Sequence, residues 1–311
     1  MAFVFQRLLM LIPVAIGVTI IVFFMIHLIP GDPARTILGI HATPRAVAIL
    51  HHEWGLDRPL ISQYWLFMDR LVHGNLGQSL YYGTPAVGII TSRIPATLWL
   101  VIYAAILAIA ISVPLAMIAA SRKDGIRDHI VRAVPLVGLG MPPFWLGILL
   151  IYAFAINVHW FPTSGYGNGF FGHLHSMFLP ALVVAIALAP VVIRALRASM
   201  LNVLGAEYIT TAKSKGVPGP QLFLRHVLRN AVIPAVTVLG INIGFLIGGT
   251  VVIENVFAIP GIGQLMINSI FQRDFPVVQG VTLVFGVLVV IVNLLADLSY
   301  AALDPRVRFD R

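Results

Sequence analysis

Side chains that could carry out chemistry are scarce in this chain, which has 12 acidic residues, 10 histidines and no cysteine among 311 residues. Without cysteine, neither disulfides nor thiolate metal sites can form. The pairs His51/His52 and His173/His175 have no acidic or cysteine partner at ligand spacing, so we predict no metal site. His27 lies beside a long apolar stretch, but no nucleophile accompanies it, which argues against an intramembrane hydrolase. We therefore predict a protein without catalytic residues.

Residues suited to binding another protein are concentrated in the polar segment 198–230. Glu207 lies near the start of a predicted helix and Lys213 and Lys215 lie at its end, an order that suits the helix dipole. Gly216 follows as a C-terminal cap, and a Gly/Pro break and a second amphipathic helix come next. Such a hairpin can present a short, rigid surface to a partner. The sequence has no Gly-x-x-x-x-Gly-Lys-[Ser/Thr] motif, so the chain does not bind ATP in that way.

The elements that position this hairpin are apolar helices, because 59% of the residues are hydrophobic and only 10% are charged. Soluble domains carry roughly 25% charged residues, so the composition fits a lipid environment. A membrane-spanning helix needs about 20 apolar residues. Six stretches satisfy this requirement: Leu8–Ile29, Thr97–Ala120, Ala133–Ile156, Phe178–Leu196, Ile233–Ile253 and Val277–Leu298. We predict an all-α integral membrane protein with six transmembrane helices, the first of them a retained signal anchor.

The positions of the basic residues orient these six helices. Most of the 20 basic residues fall in segments that are cytoplasmic if the N-terminus is inside, and the short outer loops after spans three and five carry only Arg273. We therefore predict that both termini are cytoplasmic. The net charge of +8 then needs no nucleic acid to explain it. The outer segment 34–94 contains two amphipathic pieces, Pro44–Trp54 and Leu60–Val72, and another short outer helix is predicted at Gly261–Phe271.

Polar and small residues inside the predicted spans suggest further roles. The candidates for lining a transport pathway are Asn242, Thr250 and Asn293. Gly240, Gly244 and Gly248 of span five recur every fourth residue and Gly249 follows them, a pattern that favours close helix contact. This face is a candidate for the interface with a second subunit. An ion-coupled secondary transporter is the alternative of a different class, but it needs coupling acids at mid-membrane, and Asp297 lies near a span end.

The pattern Glu207-Tyr-x-x-Thr-Ala-x-x-Lys-Gly216 resembles the "EAA" loop of permeases from binding-protein-dependent ABC importers. The continuation Leu-Arg-His-x-Leu-Arg-Asn-x-x-Ile-Pro resembles the peptide and nickel branch, whose longer spacing to Ile233-Pro234 the chain shares. Further stretches of that branch are Leu28-Ile-Pro-Gly-Asp-Pro33, Glu254-Asn-Val-Phe-Ala-Ile-Pro-Gly-Ile-Gly263, Arg273-Asp-Phe-Pro-Val-Val-Gln-Gly280 and the ending from Asp297 to Arg308. The chain most resembles the "B" permease of dipeptide and oligopeptide importers.

The resemblance implies a type I ABC importer permease fold and a subunit of the bacterial inner membrane. It implies three regions: 1–93, a first helix plus outer segment; 94–302, the permease domain; and 303–311, a cytoplasmic tail. The implied partners are a second homologous permease, two cytoplasmic subunits that bind ATP and magnesium, an external substrate-binding protein and the lipid bilayer, and the chain itself holds no cofactor. The residues implied to couple the chain to the ATPase are Glu207, Tyr208, Thr211, Ala212, Lys215 and Gly216. Short peptides are the implied cargo, with nickel chelates or glutathione as alternatives.

Overall fold

The computed structural model describes residues 2–27, 32–39, 42–55 and 57–303, and these residues are almost entirely helical. The first four helices are α1 (Ala2–His27), α2 (Pro33–Leu38), α3 (Pro44–Trp54) and α4 (Leu60–Val72). The next four are α5 (Ala86–Ser121), α6 (Ile126–Gly140), α7 (Pro143–Leu150) and α8 (Gly169–Leu204). The last five are α9 (Glu207–Ser214), α10 (Gly219–Gln221), α11 (Arg229–Val256), α12 (Ile262–Phe271) and α13 (Phe275–Leu303). Two π-helical segments extend α7 and α10, at Ile151–Asn157 and Leu222–Leu228.

The two amphipathic pieces predicted within the segment 34–94 are confirmed as helices, because α3 and α4 have the same bounds. Their outer location stays a prediction. Thr43 caps α3 by accepting a hydrogen bond from the Ala46 backbone N–H, as a threonine at this position commonly does. At the other end, Gly55 adopts the left-handed conformation. The turn before α2 is similar, since Asp32 caps the Ala34 N–H.

Three described helices are long and apolar enough to cross a bilayer: Ala86–Ser121, Gly169–Leu204 and the Phe275–Ala296 part of α13. The predicted third span differs from expectation, because the chain bends between α6 and α7 at Met141 and Pro142. Proline disfavours a helical conformation in the preceding residue and removes a backbone donor, so two adjacent prolines end α6 and start α7. This bent pair would be a fourth span. The count of six and the orientation stay predictions.

The contacts divide the chain into two compact units, and the first comprises Met1–Thr97 and Pro260–Val290. Its core is a cluster of apolar side chains from α5, α12 and α13: Ala86, Ile90, Ile262, Leu265, Val277 and Val281. The buried Thr97 hydroxyl accepts a hydrogen bond from the Ile262 N–H at 2.9 Å, which fixes the start of α12 against α5.

Asp274 ties the loop before α5 to the turn between α12 and α13. Its buried carboxylate accepts hydrogen bonds from the Ser79 hydroxyl and from the N–H groups of Leu80 (3.1 Å) and Tyr81 (3.4 Å). A buried carboxylate needs such donors, because an unpaired one would be expensive to desolvate. Asp274 therefore anchors the turn between α12 and α13 to the loop before α5, while the Tyr81 and Tyr82 rings are exposed.

The second unit comprises Leu98–Ile259 and Ile291–Arg311. Helix α8 is its central helix. One side of α8 is almost completely buried, where it packs against α6, α7 and α11. Small residues allow the close packing: a Cβ on Gly147 of α7 would meet the Phe257 ring at 3.1 Å, and one on Gly138 of α6 would meet Ile186 at 2.7 Å. This packed bundle is the support on which the hairpin after α8 rests.

Candidate functional site

Helix α9 is the predicted first arm of the hairpin, and it is attached to the helical bundle by its apolar face. Ile209 is completely buried and Ala212 is half-buried. They join one cluster with buried side chains from α5, α8, the second π segment and α11: Ala116, Ala120, Leu196, Met200, Leu222, Val227 and Ala231. Burying an isoleucine side chain contributes roughly 2–3 kcal/mol. The short α9 is therefore held in place by packing rather than by its intrinsic helical stability.

The opposite face of α9 carries the polar residues predicted to bind a partner. At 100° per residue, Glu207, Tyr208, Thr211 and Lys215 fall within an arc of about 100°. All four are exposed, whereas Ile209 points away from this arc. The six predicted coupling residues therefore have different positions. Four face solvent, Ala212 helps to attach the helix, and Gly216 lies just beyond the end of the helix.

The end of α9 explains why glycine occupies position 216. Gly216 has a φ of 76°, its N–H donates to the Lys213 carbonyl at 2.9 Å, and the Val217 N–H donates to the Ala212 carbonyl at 3.2 Å. This pair of bonds is the Schellman motif, and it is completed by Ala212 and Val217 packing in the same apolar cluster. An added Cβ on Gly216 would meet nothing within 4 Å, so conformation rather than space restricts this position within the chain.

The second arm of the hairpin continues into α11 without a break. Pro218 and Gly219 open it, the Leu222 N–H donates to the Pro218 carbonyl at 2.9 Å, and the π segment Leu222–Leu228 leads directly into Arg229. The amphipathic second helix is therefore present, but seven of its residues have π geometry, which no sequence pattern indicated. The second arm and α11 therefore form one continuous helical stretch.

A buried ion pair beside the hairpin was not predicted. Asp128, in the first turn of α6, is completely buried and binds both Nε and Nη2 of Arg197 on α8, with Nε at 2.6 Å from Oδ1. It also accepts from the Asp124 N–H at 3.0 Å, and Arg132 Nε lies 3.6 Å away. The i, i+4 spacing of Asp128 and Arg132 was a visible signal, but the partner on α8 is 69 residues away. The pair fixes the C-terminal part of α8, ten residues before the start of α9.

The three predicted pathway residues do not form one cluster in the described structure. Thr250 is buried and its hydroxyl donates to the Ile247 carbonyl at 2.8 Å within α11. Asn242 is half-buried and its amide donates to the Val238 carbonyl at 2.7 Å. Asn293 lies on α13 and is exposed. Two of the three side chains are therefore bound to their own helix, and the pathway assignment stays a prediction.

The glycine face of α11 is divided between two environments. A Cβ on Gly240 would collide with Ala296, so this glycine serves the contact between α11 and α13 of the same chain. The prediction that it faces a second subunit is wrong, because this intramolecular contact occupies it. Gly248 and Gly249 are exposed, with nothing within 4 Å of an added Cβ. These two remain candidates for contact between subunits.

The histidines considered as metal ligands in the sequence analysis lie close to neighbouring protein groups instead. His51 Nε2 lies 2.7 Å from Asp32 Oδ1, and this hydrogen bond holds the pKa of the Asp32 carboxyl below its ordinary value. His173 Nδ1 lies 2.9 Å from the Tyr166 carbonyl oxygen. Across the described ranges, no three histidine, aspartate or glutamate side chains group together as metal ligands would.

Comparison with known proteins identifies the family to which this chain belongs. Residues 112–309 match the family model "Binding-protein-dependent transport system inner membrane component", and residues 1–101 match the model of the N-terminal region of such components. The chain is 38% identical over 307 residues to the glutathione transport system permease protein GsiC of Escherichia coli K12 and to that of Salmonella choleraesuis SC-B67. In both comparisons the alignment covers 99% of each chain.

Solved structures share the fold. An inward-facing MetNI methionine ABC transporter chain superposes with a TM-score of 0.59 at 16% identity, over 70% of this chain and 96% of that chain. A chain of an amino acid ABC transporter crystallised with histidines superposes with a TM-score of 0.51 at 15% identity, over 69% and 94%. The fold is that of the type I ABC permeases.

The chain belongs to the family of binding-protein-dependent transport system inner membrane components. It is a permease subunit of an ABC importer, a multi-pass protein of the inner membrane and a transport subunit rather than an enzyme. The resemblance stated from the EAA-type loop is thereby confirmed.

The Asp128–Arg197 pair leads to a prediction about stability. In Arg197→Ala the buried Asp128 loses its main partner, which should cost on the order of 3 kcal/mol and lower the melting temperature of the purified protein in nanodiscs. Arg194→Ala is the matched control, because Arg194 is exposed one turn earlier on α8. Equal melting temperatures for the two variants would contradict a stabilising role for the pair.

Proposed function

We propose that this permease subunit moves short peptides inward across the inner membrane, with glutathione as the first cargo to test. The support is the 38% identity over nearly the whole chain to permeases named for glutathione transport. Glutathione is itself a short peptide, so this cargo lies within the peptide class indicated by the sequence motifs. Longer peptides and nickel chelates are the competing cargoes.

We propose that α9 is the surface that docks on an ATP-binding subunit, and the observation that supports this most is its two-sided construction. One face of α9 packs against the bundle through the buried Ile209, and the other face exposes Glu207, Tyr208, Thr211 and Lys215. A surface that transmits force must be rigid and also free to bind. ATP and magnesium are bound by the partner subunits in this proposal, and the present chain supplies the mechanical connection from α9 into α11.

The proposed assembly contains a second homologous permease, two ATP-binding subunits and an external substrate-binding protein. In it the chain has six transmembrane helices, with both termini cytoplasmic, and is organised as regions 1–93, 94–302 and 303–311. The pathway forms at the interface of the two permeases and is lined by polar residues such as Asn242 and Asn293. The outer segment 34–94 receives the binding protein, and its exposed Tyr81 and Tyr82 are suited to that contact because aromatic side chains are enriched at interfaces.

The cargo proposal is tested by reconstituting the whole importer with its ATP-binding subunits and binding protein in proteoliposomes. We expect ATP-dependent uptake of labelled glutathione, reduced at least about tenfold when ATP is replaced by a non-hydrolysable analogue. Labelled dipeptides, longer peptides and nickel chelates offered in parallel define the cargo class. Uptake of only nickel chelates would overturn the peptide proposal. Uptake driven by an ion gradient without ATP would replace the importer mechanism with the ion-coupled alternative.

The Schellman motif predicts how Gly216 acts. Valine should strain the left-handed backbone at this position by about 1–2 kcal/mol, whereas asparagine adopts this conformation readily. We therefore expect Gly216→Val to lower uptake about tenfold while ATP hydrolysis continues, and Gly216→Asn to keep most of the coupling. The measurement is the ratio of cargo imported to ATP hydrolysed.

Two other outcomes are informative about that position. If both variants lose coupling equally, the partner surface excludes any side chain there and the conformational explanation is wrong. If neither variant changes the ratio, α9 is not the coupling element.

A further inference from the structure

Helix α4 has an apolar face that is left exposed by the described residues of its unit. Ile61, Trp65 and Val72 are 75%, 66% and 78% exposed, and with Met68 they follow the spacing i, i+4, i+7 and i+11. On a helix with 3.6 residues per turn, the three exposed residues lie within about 40° of one another. A different side of α4, about 120° around the helix, packs against α1. We call the face formed by Ile61, Trp65, Met68 and Val72 the α4 stripe.

The contacts with α1 place α4 beside the outer part of that helix. The Tyr64 hydroxyl lies 2.9 Å from Thr19 Oγ1, and Gln63 Oε1 lies 3.0 Å from His27 Nε2. The Phe23 ring, between these two levels of α1, lies 5.4 Å from the Tyr64 ring. Thr19 precedes His27 by eight residues, which is roughly 12 Å along the helix axis.

The contacts with α1 indicate how deep α4 lies in the membrane. Leu8 to His27 spans roughly 28 Å of helix, close to the ~30 Å thickness of the hydrocarbon core, so His27 lies near its outer boundary if α1 crosses the membrane. Tyr64 then reaches a group about 12 Å below that boundary. Helix α4 is therefore level with the outer leaflet rather than above the membrane.

The neighbouring surface of α1 supports lipid as the occupant. Ile12 and Ile16 lie on the same side of α1 as Thr19 and Phe23, one to two turns deeper, and they are exposed. Helix α4 thus covers only the outer part of this side of α1, and an exposed apolar surface continues directly below it. That surface and the α4 stripe are both apolar and exposed, as expected of surfaces that contact lipid.

The polar residues of α4 fit the same placement. Ser62, Asp69 and His73 are exposed and lie about 80–120° around the helix from Ile61. A helix with one apolar and one polar exposed face fits the plane of a membrane interface, where tryptophan is enriched. In this position Trp65 would be in contact with lipid while Asp69 stays in water.

We propose that α4 is embedded in the outer leaflet and that the α4 stripe contacts lipid acyl chains. This goes beyond the sequence prediction of a helix lying on the outer face. It rests on the proposed six-span arrangement, in which α1 crosses the bilayer. The outer segment is then anchored to the membrane by α4 as well as by α1, which gives the proposed binding-protein platform a fixed height.

The absence of cysteine allows a direct test, because any single cysteine can be labelled specifically. Nitroxide labels are attached at Trp65→Cys and Val72→Cys, with Ser62→Cys and Asp69→Cys as matched polar-face controls. Each variant is assembled into the importer in phosphatidylcholine nanodiscs. Collision rates with oxygen, which concentrates in lipid, and with a water-soluble nickel chelate are then measured by electron paramagnetic resonance.

We expect oxygen collisions to exceed nickel-chelate collisions several-fold at positions 65 and 72, and the reverse at positions 62 and 69. Greater access for the nickel chelate at both stripe positions would overturn the proposal, because the stripe would face water. Protection from both reagents would also overturn it, because a protein surface would cover the stripe. Agreement between positions 65 and 72 guards against a local disturbance by either substitution.

A label at Ile16→Cys distinguishes this inference from the arrangement on which it rests. A lipid-exposed label at position 16 with water-exposed stripe labels would refute only the embedding of α4. A label at position 16 that is open to the nickel chelate would instead refute the membrane crossing by α1, and the inference with it. Uptake by the labelled importers is recorded separately and reports on the proposed transport function.

Discussion

The burial of Ile209 is the interaction on which the proposed coupling depends. An eight-residue helix is marginal in water, because helix nucleation fixes several dihedral angles for one hydrogen bond. Packing of Ile209 and Ala212 against residues of α5, α8 and α11 supplies the missing stabilisation. The same packing turns Glu207, Tyr208, Thr211 and Lys215 outward. It therefore both attaches α9 to the bundle and exposes the residues proposed to bind the partner. The Schellman motif at Gly216 then ends the helix and starts the arm that continues into α11.

The Asp128–Arg197 pair extends this support to the C-terminal part of α8. Arg197 lies on the helix that leads into α9, and its guanidinium binds a carboxylate that is fully removed from solvent. Because both carboxylate oxygens of Asp128 bind the planar guanidinium of Arg197, the pair restricts the relative orientation of the two side chains as well as their separation. Apolar packing at Ile209 and directional bonding at Asp128 therefore restrain the same end of α8 in complementary ways.

The helices and the hairpin could be predicted from the sequence because their signals are local. Thr43 and Gly55 delimit α3, and the Glu207-to-Gly216 spacing predicts a capped helix. Features that depend on distant residues could not be predicted: Arg197 is 69 positions from Asp128, and Ser79 is 195 positions from Asp274. The close contact between Gly240 and Ala296 could not be predicted either. The glycine spacing indicates a close contact without identifying the helix that makes it.

The central claim is that α9 binds an ATP-binding subunit through its exposed face. Because the chain has no cysteine, Tyr208→Cys and Ile209→Cys can be compared in the assembled importer with a short thiol-to-amine crosslinker. We expect position 208 to crosslink to the ATP-binding subunit, with a yield that changes when ATP is added. We expect little crosslinking from position 209, which is buried in the chain itself. Equal yields at the two positions, or no crosslink from position 208, would contradict the docking of α9 on that subunit.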